Sequence, residues 1–218
     1  MKRPSEQLAE AAGVVEREPE VKFHPNAIQT YSGQAYDFAN PDPNTVKLVD
    51  IAHALSNMCR FAGHVSRFYS VAEHCVRVSK VLEVQGYNQF YQLVGLLHDG
   101  HEAYVWDCPR PFKPLLGDVF EDFADKADEV IAASFLPPDT TQKWFHCDEV
   151  KTADDMLLVA EAQELMHFGP EHWAGWKKRY QYVEPLPFDP GILGWPPDIA
   201  ERNFLARAAE LGVEREDA

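Results

Sequence analysis

The sequence predicts an all-α domain with a short β-hairpin near its start, and three observations carry that prediction. Apolar residues recur at helical spacing through most of the chain after Val46. A single β-patterned stretch stands ahead of them, and 45% hydrophobic residues in a 218-residue chain are enough for a sizeable core in one domain. Residues 23–218 are therefore read as one domain and residues 1–22 as an N-terminal extension.

That extension mixes charges with little apolar periodicity beyond Leu8 to Val15, which suits a frayed or peripheral helix without chemistry. The stretch "IQTYSGQAYDF" (28–38) places aromatic and β-branched residues on either side of Ser32-Gly33, a hairpin signal, and "ANPDPN" then breaks the chain. Val71, Cys75, Val78 and Leu82 fall at i, i+4, i+7 and i+11, one buried stripe with His74 beside it. Phe90, Leu93, Val94 and Leu97 form a second stripe that leads into His98-Asp99. Between 118 and 131, Asp118, Glu121, Asp122, Asp125 and Asp128 keep to one face, expected to be solvated; Phe120, Phe123, Ala127, Val130 and Ile131 keep to the other. "FLPPD" (135–139) stops this helix, and a further helix is expected from about Asp148 to His167. A Pro-rich connector (184–198) precedes a last amphipathic segment containing Ile199, Phe204, Leu205 and Leu211.

Twenty Lys and Arg against thirty-five Asp and Glu give a net charge of −15, which repels nucleic-acid polymers and anionic membranes over the whole surface. An anionic substrate then needs a local basic pocket. The four cysteines are widely spaced, with no Cys-x-x-Cys pair for a zinc knuckle or a redox site. No apolar signal core opens the chain, and no run approaches the ~18 apolar residues that span a bilayer. A cytoplasmic protein with reduced thiols is the expectation.

Chemistry concentrates in "LLHDGHEAYVWD" (96–107), two histidines and three carboxylates directly behind an apolar run. His74, His98 and Asp99 sit on two adjacent apolar helices, and imidazole with carboxylate ligation suits Mn, Fe, Co, Ni or Zn. Interior histidines satisfied by the core are the competing reading. Adjacent residues on a straight helix point about 100° apart. His98 and Asp99 share one ion only if the helix ends or bends, and Gly100 makes a bend plausible. "HEAYV" lacks the second histidine of the zinc-protease motif, which removes that class.

Together with "IQTYSGQAYDF", "DIAHALSNMCRFAGH", "FYSVAEHC", "LLHDGHEAYVWDCPRPFK", "VKTADDMLL" and the "GWPP" tail, these residues resemble the HD-domain phosphohydrolases. The likeness is to the nucleotidase-type group that includes bacterial 5′-deoxynucleotidase and phage dATP triphosphohydrolases, and it covers roughly residues 28–207. The resemblance implies an HD-type helical bundle holding one divalent metal ion (Mn, Co, Zn, Fe, Ni or Mg) on His74, His98, Asp99 and Asp154. Asp155 follows directly, and spacing does not choose between the two; the Ala153-Asp154 match favours Asp154. Glu102 matches the family residue that orients or deprotonates the attacking water, and Asp107 the one that serves the leaving oxygen or the sugar. Arg60 matches the phosphate-binding arginine, with Arg110 and Lys113 as a second rim. His64 is assigned either to phosphate or base or to a cap or core role, and Trp106, where the family has a small residue, either to base stacking or to narrowing the pocket. Implied with these residues is hydrolysis of the 5′ phosphoester of a (deoxy)nucleotide to nucleoside and phosphate. Release of triphosphate from a (deoxy)nucleoside triphosphate is the nearest alternative, and a non-catalytic metal-binding scaffold a lesser one. A small-molecule nucleotide is the expected partner, in a homo-oligomer of two or more copies.

Overall fold

The computed structural model describes residues 23–189, 191 and 193–213, and the expected N-terminal extension lies outside these described residues. The hairpin forms as expected: β1 (Ala27–Gln29) pairs antiparallel with β2 (Ala35–Asp37), Ile28 opposite Tyr36. Its turn needs Gly33, whose φ of +88° lies in the left-handed region that glycine adopts without penalty. Asp50 anchors the turn from below, accepting hydrogen bonds from the Ser32 N–H (2.6 Å) and hydroxyl (2.8 Å).

The rest is helical: α1 (Leu48–Asn57), α2 (Val71–Val84), α3 (Gln89–Leu97), α4 (Glu102–Val105), α5 (Lys113–Leu116), α6 (Asp118–Phe135), α7 (Asp148–Leu165), α8 (Trp176–Arg179) and α9 (Pro197–Glu210). Helix α2 is the axis of the packing, with α1, α3, α7 and α9 all laid against it. Its residues Val71 to Ser79, Val81 and Leu82 are all buried, so it has no solvent face along most of its length. The side chain of Ser70 caps it at the Glu73 N–H, as Asn88 caps α3 at Phe90 and Tyr91. Tyr36 inserts into the same core and stacks on Tyr104, ring centroids 3.8 Å apart.

The helix expected from Asp148 to His167 ends at Leu165, and the last amphipathic segment forms α9. One expectation for α6 is corrected. Asp118, Glu121, Asp122 and Asp125 are solvated, but Asp128 is buried and meets His101 Nδ1 at 3.1 Å, while Phe123, assigned to the apolar face, is exposed. The buried imidazole of His101 supplies a partner that periodicity within α6 does not reveal.

The Pro-rich connector is held by a buried carboxylate. Glu73 accepts hydrogen bonds from the Gly194 N–H (3.2 Å) and the Trp195 N–H (2.6 Å), and pairs with Arg77 at 2.7 Å. The Arg77 guanidinium also lies 4.9 Å from the centre of the Trp195 ring. Deleting one member of a buried pair leaves the other charge without its partner, typically at about 3–5 kcal/mol. Glu73→Ala is accordingly expected to lower unfolding free energy by about 3 kcal/mol or more in chemical denaturation, with Trp195 fluorescence shifting toward that of exposed indole.

Candidate metal centre

The site begins where α3 ends. Helix α3 stops at Leu97, and residues 98–101 form a tight turn in which the Gly100 N–H bonds the Leu97 carbonyl (2.8 Å) and the Glu102 N–H the Asp99 carbonyl (3.0 Å). A Cβ on residue 100 would come within 2.9 Å of the Leu97 carbonyl oxygen and 3.1 Å of the Ile131 side chain, so only glycine lets α6 pack this closely against the turn. The helix therefore ends where a shared site requires it, and the turn brings His98 Nε2 to 3.3 Å from Asp99 Oδ2.

Hydrogen bonding orients both imidazoles. His98 Nδ1–H donates to the Gly95 carbonyl (2.8 Å), which leaves the Nε2 lone pair pointing away from the backbone; burial pushes this imidazole's pKa down and favours the neutral form. His74, on the buried α2, meets Glu161 Oε1 through Nδ1 at 2.6 Å. Its Nε2 lies 3.1 Å from Asp154 Oδ1 and 3.7 Å from Asp99 Oδ2. Both Nε2 atoms are buried without a hydrogen bond among the described residues.

One donor atom from each of His74, His98 and Asp99 lies within 4.8 Å of the others, and Asp154 adjoins the group through His74. Ligands about 2.1 Å from a common ion stand about 3.0 Å apart at octahedral right angles and about 3.4 Å apart at tetrahedral ones. Separations of 3.1, 3.3 and 3.7 Å are close to that spacing. His74, His98 and Asp99 thus form a possible metal-binding site, and their donor chemistry fits a divalent ion. The charges are mutually supporting: burial and Arg60 oppose protonation of His74, yet Glu161 and Asp154 hold its pKa at about 9. Burial disfavours the Asp99 carboxylate, but His98 and His74 outweigh it and bring its pKa to about 2; Asp154 is lowered in the same way.

Around this centre the structure gathers most of the residues singled out in the sequence. Arg60 is buried and reaches Glu161 Oε2 through Nε (3.2 Å) and Asp99 Oδ2 through a terminal nitrogen (3.5 Å). Its backbone is held by a bridge across the 58–70 loop, Arg60 N–H to the Tyr69 carbonyl at 2.9 Å. Glu102 is buried, its Oε2 without a hydrogen bond, and burial, then Asp99 and Asp107, push its pKa well above the usual carboxylate range. Asp107 is raised by burial against the pull of Arg60, and Lys113 is close enough to oppose the shifts of both carboxyls. The turn at 98–101 leaves both His98 and Glu102 buried.

Arg110 lies on the rim, 3.7 Å from Asp154 Oδ2. Trp106 is exposed at 61% with a φ of +55°, a backbone conformation costly for a side chain of that size, at the turn that delivers Asp107. His64 is exposed at the end of the turn that follows Arg60. Asp155 points its Oδ1 toward Arg110 (3.6 Å) and Arg179 (3.8 Å), whereas Asp154 faces His74.

Sequence reasoning missed four contributors. Glu161 stands seven residues after Asp154, two turns along α7 on the same face, and that spacing could have found it. Tyr69, which donates to Glu161 Oε1 at 2.7 Å, carried no separate signal. Arg179 and Tyr180 sit in "WKKRY", marked only by three consecutive basic residues in an acidic chain.

No family model matches the chain. It is 38% identical over 139 residues to the uncharacterized protein YfdR of Escherichia coli, covering 63% of this chain and 71% of that protein. It is also 28% identical over 141 residues to an uncharacterized protein of Rhodobacter capsulatus, with the same coverage of 63% and 71%. The chain belongs to the family of YfdR.

Proposed function

We propose that this protein is a metal-dependent phosphohydrolase of the HD-domain type, cleaving at the 5′ phosphorus of a (deoxy)nucleotide. The observation that carries the proposal is the convergence of the buried His74 and His98 Nε2 atoms with carboxylate oxygens of Asp99 and Asp154 at 3.1–3.7 Å, beside a buried arginine and a buried Glu102 Oε2 that makes no hydrogen bond among the described residues. Buried polar groups left without partners are costly, and a bound cation is the partner this geometry suits. One divalent ion on His74, His98, Asp99 and Asp154 would supply Lewis acidity and make a bound water more acidic. The resemblance of the motifs to the nucleotidase-type group supports the choice of nucleotide, and the absence of a Cys-x-x-Cys pair among four free thiols agrees with a reducing, cytoplasmic setting.

The chain's own groups divide the remaining work. Glu102, whose pKa burial and then neighbouring Asp99 push well above the usual carboxylate range, is placed to exchange a proton with the attacking water. Arg60 meets the phosphoryl oxygens with a planar guanidinium that Glu161 already holds in place. Asp107, also raised by burial, retains a proton more readily than an exposed carboxyl and serves the leaving 5′ oxygen or contacts the sugar. Hydrolysis of a monophosphate to nucleoside and phosphate is the reading the motifs favour. A (deoxy)nucleoside triphosphate attacked at the same phosphorus is the second, favoured by the additional cations at the rim.

The direct test is a panel of nucleoside mono-, di- and triphosphates incubated with Mn, Co, Zn and Mg, the products separated by chromatography; no release of phosphate or triphosphate from any member would overturn the proposal. His98→Ala and Asp99→Ala are expected to abolish metal retention and turnover while leaving the helical circular dichroism largely intact. Glu161→Gln removes the negative charge behind His74 and is expected to weaken metal affinity by roughly 10–100-fold, measured by metal titration. Glu102→Gln is expected to keep the metal and lose roughly 10²-fold or more in turnover, since it changes only the proton-transfer group.

A further inference from the structure

Helix α4 is four residues long and carries Glu102 as its first residue, directly after His101. A helix that short does not hold its own direction. The His101 carbonyl accepts from the N–H groups of both Tyr104 (2.9 Å) and Val105 (3.0 Å), so the orientation of α4 follows that of residue 101. Helix α6 grips the turn before it at two residues three apart, which share one helical face. One is Ile131, whose side chain would stand 3.1 Å from a Cβ on residue 100. The other is Asp128, buried like His101, whose Oδ1 accepts a hydrogen bond from His101 Nδ1–H at 3.1 Å. The second oxygen of Asp128 lies 3.4 Å from Nε2 of the exposed His146, at the end of the short turn Gln142–His146, so both oxygens of the carboxylate are engaged.

The two grips differ in kind. Packing of Ile131 on Gly100 sets how closely α6 approaches, but it leaves the turn free to rotate about the contact. A buried charged pair adds little to stability that apolar groups of the same volume would not, whereas a hydrogen bond has a direction that apolar packing lacks. The neighbouring side chains need that direction unequally. His98 is held by the Gly95 carbonyl (2.8 Å) and Asp99 by Arg60 (3.5 Å), neither through residue 101, while Glu102 Oε2 makes no hydrogen bond among the described residues. Where Glu102 stands is left to the backbone that carries it. We infer that Asp128, acting through His101, is a positioning residue for Glu102, fixing the direction in which α4 leaves the 98–101 turn. The inference rests on the phosphohydrolase reading, in which Glu102 exchanges a proton with the attacking water.

The test reads turnover on dAMP and dATP with Mn, Mn affinity by titration, and amide hydrogen exchange by mass spectrometry. Asp128→Ala and, from the other side of the bond, His101→Phe are each expected to lower kcat by about tenfold or more, as a small misplacement of a reacting group does, with KM and Mn affinity staying within about twofold of wild type. Asp128→Asn, whose amide oxygen still accepts, should recover part of the loss. In the Glu102→Gln background neither substitution should lower kcat further, because the group they position is already gone. Exchange is expected to quicken over residues 98–105 in Asp128→Ala and to stay as in wild type over α2 and α7, which separates local misplacement from loss of fold. Unchanged kcat in both single variants, a loss that multiplies with that of Glu102→Gln, or a loss carried by Mn affinity alone overturns the positioning role and leaves the metal-centre reading intact. A wild-type protein that binds Mn but turns over neither nucleotide overturns both.

Discussion

Glu161 is a carboxylate with no solvent exposure, and the geometry of the candidate site hangs from it. Burying an ionised carboxyl is costly unless charged and hydrogen-bonding partners compensate. Here three do: His74 Nδ1 at 2.6 Å, the Tyr69 hydroxyl at 2.7 Å and Arg60 Nε at 3.2 Å. Burial raises the pKa of Glu161, but Arg60 and His74 outweigh it and keep the group ionised. Each partner comes from a different place: the first turn of α2, the foot of the 58–70 loop and its neck. One anion therefore fixes the rotation of His74, the reach of Arg60 and the approach of α7 to α2. The position of Asp154, two turns back along α7, follows from the same approach.

Backbone strain is found beside this construction. Phe61 and Ala62 both have positive φ, +57° and +51°, immediately after Arg60, and Trp106 has +55° immediately before Asp107. Non-glycine residues in that region cost on the order of 1–3 kcal/mol each, and such conformations persist only where the surroundings over-determine them. The Arg60–Tyr69 bridge and the Asp107 N–H to Met58 Sδ contact, at 3.1 Å, are the restraints that do so here. Both strained turns aim a charged side chain inward, and both lie outside regular helix, where the chain has the freedom to be bent.

How much of this was legible in the sequence depends on the range of the interaction. The hairpin turn at Ser32-Gly33 and the long helices α2, α3 and α6 are written in local patterns, because period and turn chemistry act within a few residues. The approach of His98 to Asp99 could be anticipated for the same reason: Gly100 signals where α3 must stop. Asp128 and Glu73 defeat that logic. Each occupies a place in the helical period that is consistent with a solvated carboxylate, and each is buried by a partner far away in sequence, His101 for one and the 194–195 backbone for the other. Helices α4, α5 and α8, at four residues each, are too short to show a period at all. With α8 unseen, Arg179 had no position relative to Asp155.

The charge inventory sets the terms on which an acidic protein would hold an anion. Within the centre, Asp99, Asp154 and Glu161 face Arg60 and a His74 held protonated to about pH 9, so carboxylates predominate and a phosphate would be repelled. On the proposed reading, exchanging the His74 proton for a divalent cation cancels that excess. At the rim, Arg110 and Arg179 share Asp155, two cations to one carboxylate. On that reading a bound cation would favour a bound anion, because the same carboxylates face both. The −15 net charge of the whole chain works in the same direction, since it draws cations to the surface and leaves phosphate attraction to the few places where arginines are gathered.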